Sequence, residues 1–260
     1  MTFLHAIILG IVEGITEFLP ISSTGHLILT SRLLGLSQTD FLKTFEVAIQ
    51  VGAIFAVLVL YWKKFLSVNI LKKIIVAFIP TGIIGVIFYA LIKRFLLGNE
   101  TVVLYSLIIV GALMIIFELV YRKKEKTNPA VTKELEKMTY KQCFIIGVAQ
   151  SFAMFPGVSR SAATILGGLS LGIDRKTITE FSFILAVPTI IVATVFDLAK
   201  SSVTFSSGEM VNFLVGLVVS FVVAIFAIKF LVEYIQKHSF IAFGIYRIII
   251  ALIFIIVLLR

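Results

Sequence analysis

The sequence predicts an all-α polytopic membrane protein with six transmembrane helices and two re-entrant helix hairpins, arranged as an inverted-topology repeat. Three observations predict it. Of 260 residues, 60% are hydrophobic and 14% charged, and the mean hydropathy is +1.11; soluble domains are about half apolar and a quarter charged. The apolar runs are continuous and do not alternate with period two, which selects helices over a barrel. Two of these runs are interrupted by clusters of polar residues, and the same order of elements follows each interruption.

The first element, Phe3 to Val12, is too short to span, since spanning takes roughly 20 apolar residues. It runs into Glu13 and Glu17, breaks at Pro20 and resumes after Gly25 as Leu27 to Leu34. Two half-length helices joined by a polar turn make a re-entrant hairpin, tolerated at depth only where protein or water covers the turn. The alternative is one kinked helix from Phe3 to Leu27. A polar connector, Arg32 to Lys43, leads to spans at about Phe45–Trp62, Ile74–Ile92 and Val102–Tyr121. The longest polar segment, Arg122 to Lys141, reads as a solvated loop with a short surface helix. A second broken pair follows: Phe144 to Phe155, a break at Pro156 and Gly157, then Ala162 to Leu171. Spans at about Phe181–Val195, Val211–Phe230 and Phe240–Leu259 complete the chain.

The halves match. Gly10 to Glu13 (GIVE) aligns with Gly147 to Gln150 (GVAQ), Phe18 with Phe155 and Ser22 with Ser159 at one offset; Phe45 aligns with Phe181 one residue out. A single membrane domain, 1–260, thus divides into a first repeat, 1–121 (hairpin 3–34), a cytoplasmic loop, 122–141, and a second repeat, 142–260 (hairpin 144–171). An odd number of spans per repeat turns the second upside down, and a site is expected where the broken helices face each other. Lys63, Lys64, Lys72, Lys73, Arg122, Lys123, Lys124, Lys126, Lys133, Lys137, Arg175, Lys176 and Lys237 fall on one side. Only Arg32, Lys43, Lys93, Arg94, Lys200 and Arg260 fall on the other. The lysine-rich side is expected to be cytoplasmic.

The formal charge of +9 fits basic loops beside anionic headgroups and an anionic substrate. Nucleic-acid binding is not expected, because no basic cluster is interleaved with exposed aromatics. The single cysteine, Cys143, rules out an internal disulfide. No basic n-region opens the chain and Glu13 and Glu17 would interrupt an h-region, so no cleaved signal peptide is expected.

The chemistry concentrates in Glu13–His26 (EGITEFLPISSTGH) and Gln150–Thr164 (QSFAMFPGVSRSAAT). Ionisable groups at bilayer depth cost a few kcal/mol or more and mark function. Glu13 and Glu17 share a helical face, where their repulsion invites a cation or an arginine. Hard oxygens suit Mg²⁺ or Ca²⁺ with phosphate oxygens completing the shell. The bland reading pairs both carboxylates with Arg160 and Arg247 simply to hold the bundle. Ser22, Ser23 and Thr24 begin the second half-helix, where at least one is a cap. His26, one turn from Ser23, could take its proton, the minimal activated nucleophile. In the second hairpin Gly157, Ser159, Arg160 and Ser161 lie at a helix N-terminus whose free N–H groups favour an anion, and Arg160 adds planar recognition of phosphate. The substrate-binding set is Arg160 with Ser22, Thr24, Gly157, Ser159, Ser161 and Thr164. Glu46, Gln50, Gln150 and Arg247 are expected behind it, with Glu46 as the partner of Arg247. His5 and His238, near interfaces, are read as bystanders.

These two motifs resemble the signatures of the bacterial undecaprenyl-diphosphate phosphatases of the bacitracin-resistance type. The similarity extends over nearly the whole chain; Ala162 stands where glycine is common, away from any reactive position. The resemblance implies an integral membrane hydrolase of the plasma (inner) membrane. It would remove the terminal phosphate of undecaprenyl diphosphate, regenerating the carrier lipid for cell-wall synthesis, with a divalent cation and a site open to the extracytoplasmic side. It carries central roles to Glu13, Glu17, Ser23, His26 and Arg160, and supporting ones to Ser22, Ser159, Ser161 and Thr164. Partners are then the polyprenyl diphosphate and membrane lipids; a homodimer is allowed, not required.

Three routes stay open: attack by Ser23 with His26 as base, attack by His26 itself, or attack by a metal-bound water. Two rival functions do too. A flippase or secondary transporter shares inverted repeats and broken helices, and a lipid-binding scaffold would leave the Ser/His/Arg cluster without purpose.

Overall fold

The computed structural model describes residues 1–37, 39–95, 99–127, 130–200 and 207–258. Among them the chain forms ten α-helices: α1 (Phe3–Thr16), α2 (Ser23–Leu33), α3 (Asp40–Phe65), α4 (Val68–Phe95), α5 (Glu100–Thr127), α6 (Tyr140–Ser151), α7 (Arg160–Ser170), α8 (Arg175–Lys200), α9 (Ser207–Lys237) and α10 (Ile241–Leu258). No β-strand occurs among these residues.

Both interrupted apolar runs are broken helix pairs. Between α1 and α2 the chain turns over Glu17 to Ser22, around Pro20, which has no N–H to continue a helix. Between α6 and α7 a single 3₁₀ turn, Phe152–Met154, precedes the Pro156–Gly157 turn. Each second half-helix starts at a serine in the left-handed region: Ser22 has φ 75° and Ser159 φ 77°. A non-glycine residue held there costs about 1–3 kcal/mol. Each repays part of it by capping, accepting from Gly25 N and Ala162 N respectively, both at 3.3 Å. The first half-helices share a start as well, a reciprocal capping box at Thr2/His5 and at Thr139/Gln142.

Packing repeats in the same order. α1 lies on α9 and α6 on α4, α3 packs on α9 and α8 on α4, and α3 meets α8 while α5 meets α10. Close backbone approach is built in by glycine. A Cβ at Gly10 would stand 2.7 Å from the Gly216 carbonyl oxygen, and one at Gly147 2.0 Å from that of Ala77. On the α5–α10 crossing, Gly111 and Gly244 face each other, each excluding a Cβ at 2.8 and 2.7 Å from the other's carbonyl.

Among the described residues five helices are long and apolar enough to cross a membrane: Asp40–Phe65, and the stretches Val68–Phe88, Glu100–Lys123, Arg175–Ala199 and Gly208–Lys237. The sixth expected span, α10, is apolar but has only 18 residues, about 27 Å at 1.5 Å per residue. Polar contacts tie helix ends to one another. Asn212 reaches the Met1 carbonyl at 3.1 Å and Arg32 pairs with Glu100 at 3.1 Å. At the opposite helix ends Arg175 pairs with Glu118 at 2.7 Å and Glu125 at 2.9 Å.

Within 122–141, expected as a loop, α5 runs on to Thr127, and the expected surface helix is a 3₁₀ turn, Leu135–Lys137. The buried ammonium of Lys73 donates to the Leu135 and Glu136 carbonyls; with those carbonyls turned to the lysine, no helical ladder forms there. Asn128 and Pro129 of that segment, Leu259, and the charge of Arg260 lie outside the described residues. So do the side chains of Lys93, Arg94, Lys124, Lys126 and Lys200.

Candidate active site

The two breaks close on one chamber of about 190 Å³. Its wall includes Glu17, Ser22, Ser23 and Thr24 from the first pair, and Gly157, Ser159 and Arg160 from the second. Gln50 and Gln150 face it too. The N-termini of α2 and α7 therefore both open on this space, and each leaves backbone N–H groups suited to an anion.

Glu17 is the hub. Its Oε2 accepts from Ser23 Oγ at 2.5 Å and its Oε1 from Arg160 Nη2 at 2.8 Å. Glu17 is buried and Arg160 nearly so, with 6% and 11% of their side chains exposed. Arg160 Nη1 donates to the Ser182 carbonyl at 2.7 Å, while its Nε meets no acceptor. The guanidinium is thus anchored at one edge with a donor to spare. Ser161 Oγ, from α7, donates to the Leu19 carbonyl at 3.0 Å, tying the second pair to the first break.

Glu13 is fully buried one turn above Glu17, and neither of its oxygens meets a hydrogen-bond donor. A buried carboxylate without a donor, beside a second carboxylate, calls for a cation or a proton. Among the described residues no group of three His, Cys, Asp or Glu side chains is arranged to hold a metal. Two carboxylates could still hold a hard cation whose other ligands come from phosphate oxygens and water.

His26 departs from expectation. Its Nδ1 lies 2.8 Å from the Ser22 carbonyl and its Nε2 2.8 Å from the Tyr246 hydroxyl, so the imidazole is turned to α10 while the Ser23 hydroxyl goes to Glu17. One helical turn brings Cα atoms together without fixing where the ring points. The Glu46–Arg247 pair is likewise replaced. Glu46 accepts from Ser31 Oγ at 2.6 Å, and Arg247, fully buried, donates to backbone carbonyls of both breaks and of α5. A helix break frees carbonyls that outcompete a carboxylate already satisfied elsewhere.

Thr164 sits behind Arg160. Its hydroxyl reaches the Arg160 carbonyl at 2.9 Å and Ser182 Oγ at 2.7 Å, so it and Ser161 support the wall without forming it. Three residues were not foreseen. Tyr246 is one; Thr81 and Thr189 are the others, both in the chamber wall and both bonded by Gln150 Nε2, at 2.9 and 3.2 Å. Each threonine follows a mid-helix proline, Pro80 or Pro188. That Pro-Thr dipeptide in a span is a signal the sequence does carry, since proline frees a backbone acceptor that neighbours must satisfy.

A profile of the family described as bacitracin resistance protein BacA matches residues 6–253. The chain is 53% identical over 254 residues to a protein of Sulfurihydrogenibium sp. named undecaprenyl-diphosphatase, covering 98% of each. It is 51% identical to one of Persephonella marina over 255 residues and 48% to one of Aquifex aeolicus over 255, both with the same name and 98% of each chain covered.

Proposed function

Because the chain belongs to the bacitracin resistance protein BacA family, we propose that it is a multi-pass membrane hydrolase that converts undecaprenyl diphosphate to undecaprenyl phosphate and inorganic phosphate. The observation that carries this is the Ser23–Glu17–Arg160 chain of contacts at the meeting point of two helix N-termini. A hydroxyl held by a carboxylate, beside a guanidinium with a free donor, suits phosphoryl transfer. The names of the relatives favour hydrolysis over lipid flipping or secondary transport.

In this reading α1–α2 and α6–α7 are re-entrant hairpins of inverted repeats 1–121 and 142–260, joined by the cytoplasmic loop 122–141. Support comes from the paired packing of α1 on α9 and α6 on α4, and from the matched left-handed serines. The lysine-rich ends would face the cytoplasm of a bacterial plasma membrane, with the chamber open to the outer side.

The diphosphate enters with its anionic oxygens toward the α2 and α7 N-termini, where the amides of Thr24 and Arg160 and the guanidinium of Arg160 hold it. Ser22, Ser159 and Gly157 shape the approach. Ser23 Oγ attacks the terminal phosphorus in line, and its proton passes to Glu17 Oε2, the acceptor it already touches. Undecaprenyl phosphate leaves and the proton on Glu17 passes to solvent; Glu17 then takes a proton from the attacking water and returns it to Ser23 Oγ as the phosphoserine P–O bond breaks and inorganic phosphate departs. His26, bound at both nitrogens, orients the Ser22–Ser23 turn. Glu13 and Glu17 would hold a Mg²⁺ or Ca²⁺; such an ion, when bound, offsets negative charge on the transferring phosphoryl group.

The test is phosphate release from undecaprenyl diphosphate by purified protein in detergent, where vectorial transport cannot register. Release by the wild type and its loss in Arg160→Ala supports the proposal; a wild type that binds the lipid without releasing phosphate overturns it.

A further inference from the structure

α10 carries two adjacent polar side chains in an otherwise apolar helix, Tyr246 and Arg247. Arg247 has no exposed surface, so its charge serves nothing in water. Its five N–H donors meet five carbonyls. Nη1 donates to Pro20 and Val158, each at 3.2 Å; Nη2 donates to Gly157 and, at 3.4 Å, to Ser106; Nε reaches Leu107 at 3.5 Å. Pro20 belongs to the first break, Gly157 and Val158 to the second, and Ser106 and Leu107 to α5. One rigid fork therefore spans the two turns that carry Ser23 and Arg160, and bolts both to a long helix.

The surroundings are shaped for that reach. Gly111 and Gly244 let α10 touch α5, and a Cβ at Gly111 would stand 3.3 Å from Arg247 Cβ. Gly157, at φ 92°, sits against α5 so closely that a Cβ would lie 2.7 Å from Ser106 Cβ and 2.8 Å from the Val103 carbonyl. One residue earlier on α10, the Tyr246 hydroxyl holds His26 Nε2 at 2.8 Å with the two rings within 5° of parallel. His26 in turn contacts the Ser22 carbonyl, next to the nucleophile.

We infer that Tyr246 and Arg247 are positioning residues for the phosphoryl transfer: Arg247 sets the gap between the turn bearing Ser23 and the turn bearing Arg160, and Tyr246 fixes the His26 ring that steadies the first turn. Neither touches substrate. The inference rests on the hydrolase reading above. Catalytic groups must be held within about 0.5 Å of productive geometry, and a 1 Å misplacement can cost about 10²-fold. Lysine has three donors on a point charge where arginine has a planar fork of five, so it cannot span both turns and α5 at once.

The test measures kcat and KM for phosphate release, per monodisperse molecule and well below each variant's melting temperature. Arg247→Lys is expected to lower kcat about 30- to 100-fold with KM within threefold of wild type, and Arg247→Met to lower it further. Tyr246→Phe, which keeps the ring at a partly exposed position, is expected to fold normally and lower kcat about 5- to 20-fold with KM unchanged. A normal kcat in Tyr246→Phe overturns the assignment of Tyr246. A normal kcat in Arg247→Lys, with only a lower melting temperature, makes Arg247 a folding residue and overturns the rest. Should both Arg247 variants fail to fold, Gly111→Ala, which pushes α10 off α5 without altering the fork, must lower kcat at unchanged KM, and a normal kcat there overturns the assignment equally. A wild type without turnover would instead defeat the hydrolase reading, so the two failures are distinct.

Discussion

Replacing Glu17 by glutamine keeps the side chain's shape and removes its charge. In the wild type the two oxygens divide their work, Oε2 to Ser23 at 2.5 Å and Oε1 to Arg160 at 2.8 Å. An amide can accept from only one of them, and it offers no basic site for the serine proton. The lost charge-assisted contact alone is worth about 1.5–3 kcal/mol, or roughly 10- to 150-fold in rate at 1.36 kcal/mol per decade. Loss of a general base costs about 10²–10⁴-fold, so kcat in Glu17→Gln is expected to fall by 10²–10⁴. Ser23→Ala should fall at least as far. If the two act as one unit, the losses do not multiply: Glu17→Gln added to Ser23→Ala should cost less than about threefold more. The assay is phosphate release in detergent micelles, each variant first confirmed monodisperse. Losses that multiply in the double variant, or a Glu17→Gln turnover within tenfold of wild type, would refute the pairing.

Further outcomes follow from the same contacts. Arg160→Lys should lower kcat/KM about 10²–10³-fold, as for removal of one oriented donor from a transition-state oxygen, because an ammonium cannot keep the Ser182 carbonyl, Glu17 and a phosphate together. Chelation should abolish turnover and added Mg²⁺ or Ca²⁺ restore it; Glu13→Gln should raise the half-maximal cation concentration about tenfold, read by activity and by calorimetric titration. Gly147→Ala places a Cβ 2.0 Å from the Ala77 carbonyl oxygen and should lower stability by about 1–3 kcal/mol or more, whereas Gly208→Ala, in open space, should leave the melting temperature unchanged. Arg175→Gln strands Glu118, a fully buried carboxylate, and should cost about 3–5 kcal/mol of stability with kcat per folded molecule unaltered.

Much of this was legible in the residues, and what was not has a physical reason. Pro20, Pro156 and Gly157 mark the two breaks because proline and glycine act on the backbone locally, whatever packs around them. Glu17 and Arg160 stand out because a charge inside an apolar run needs a cause, and Ser23 because it stands among consecutive hydroxyls at a helix start. Partner choice is different, since it depends on side-chain direction and on residues far along the chain. His26 lies three residues from Ser23 yet bonds Tyr246, 220 residues from it. Arg247 pairs with carbonyls, and carbonyls carry no sequence signature. Thr81 and Thr189 look like ordinary back-bonded span residues until the prolines before them are weighed.

The most direct measurement is mass spectrometry of the protein quenched during its first turnover of undecaprenyl diphosphate. Phosphate on Ser23, absent from Glu17→Gln, is the result expected from a hydroxyl held by that carboxylate. Phosphate on His26, or full turnover with Ser23 unmodified at every time point, would contradict it.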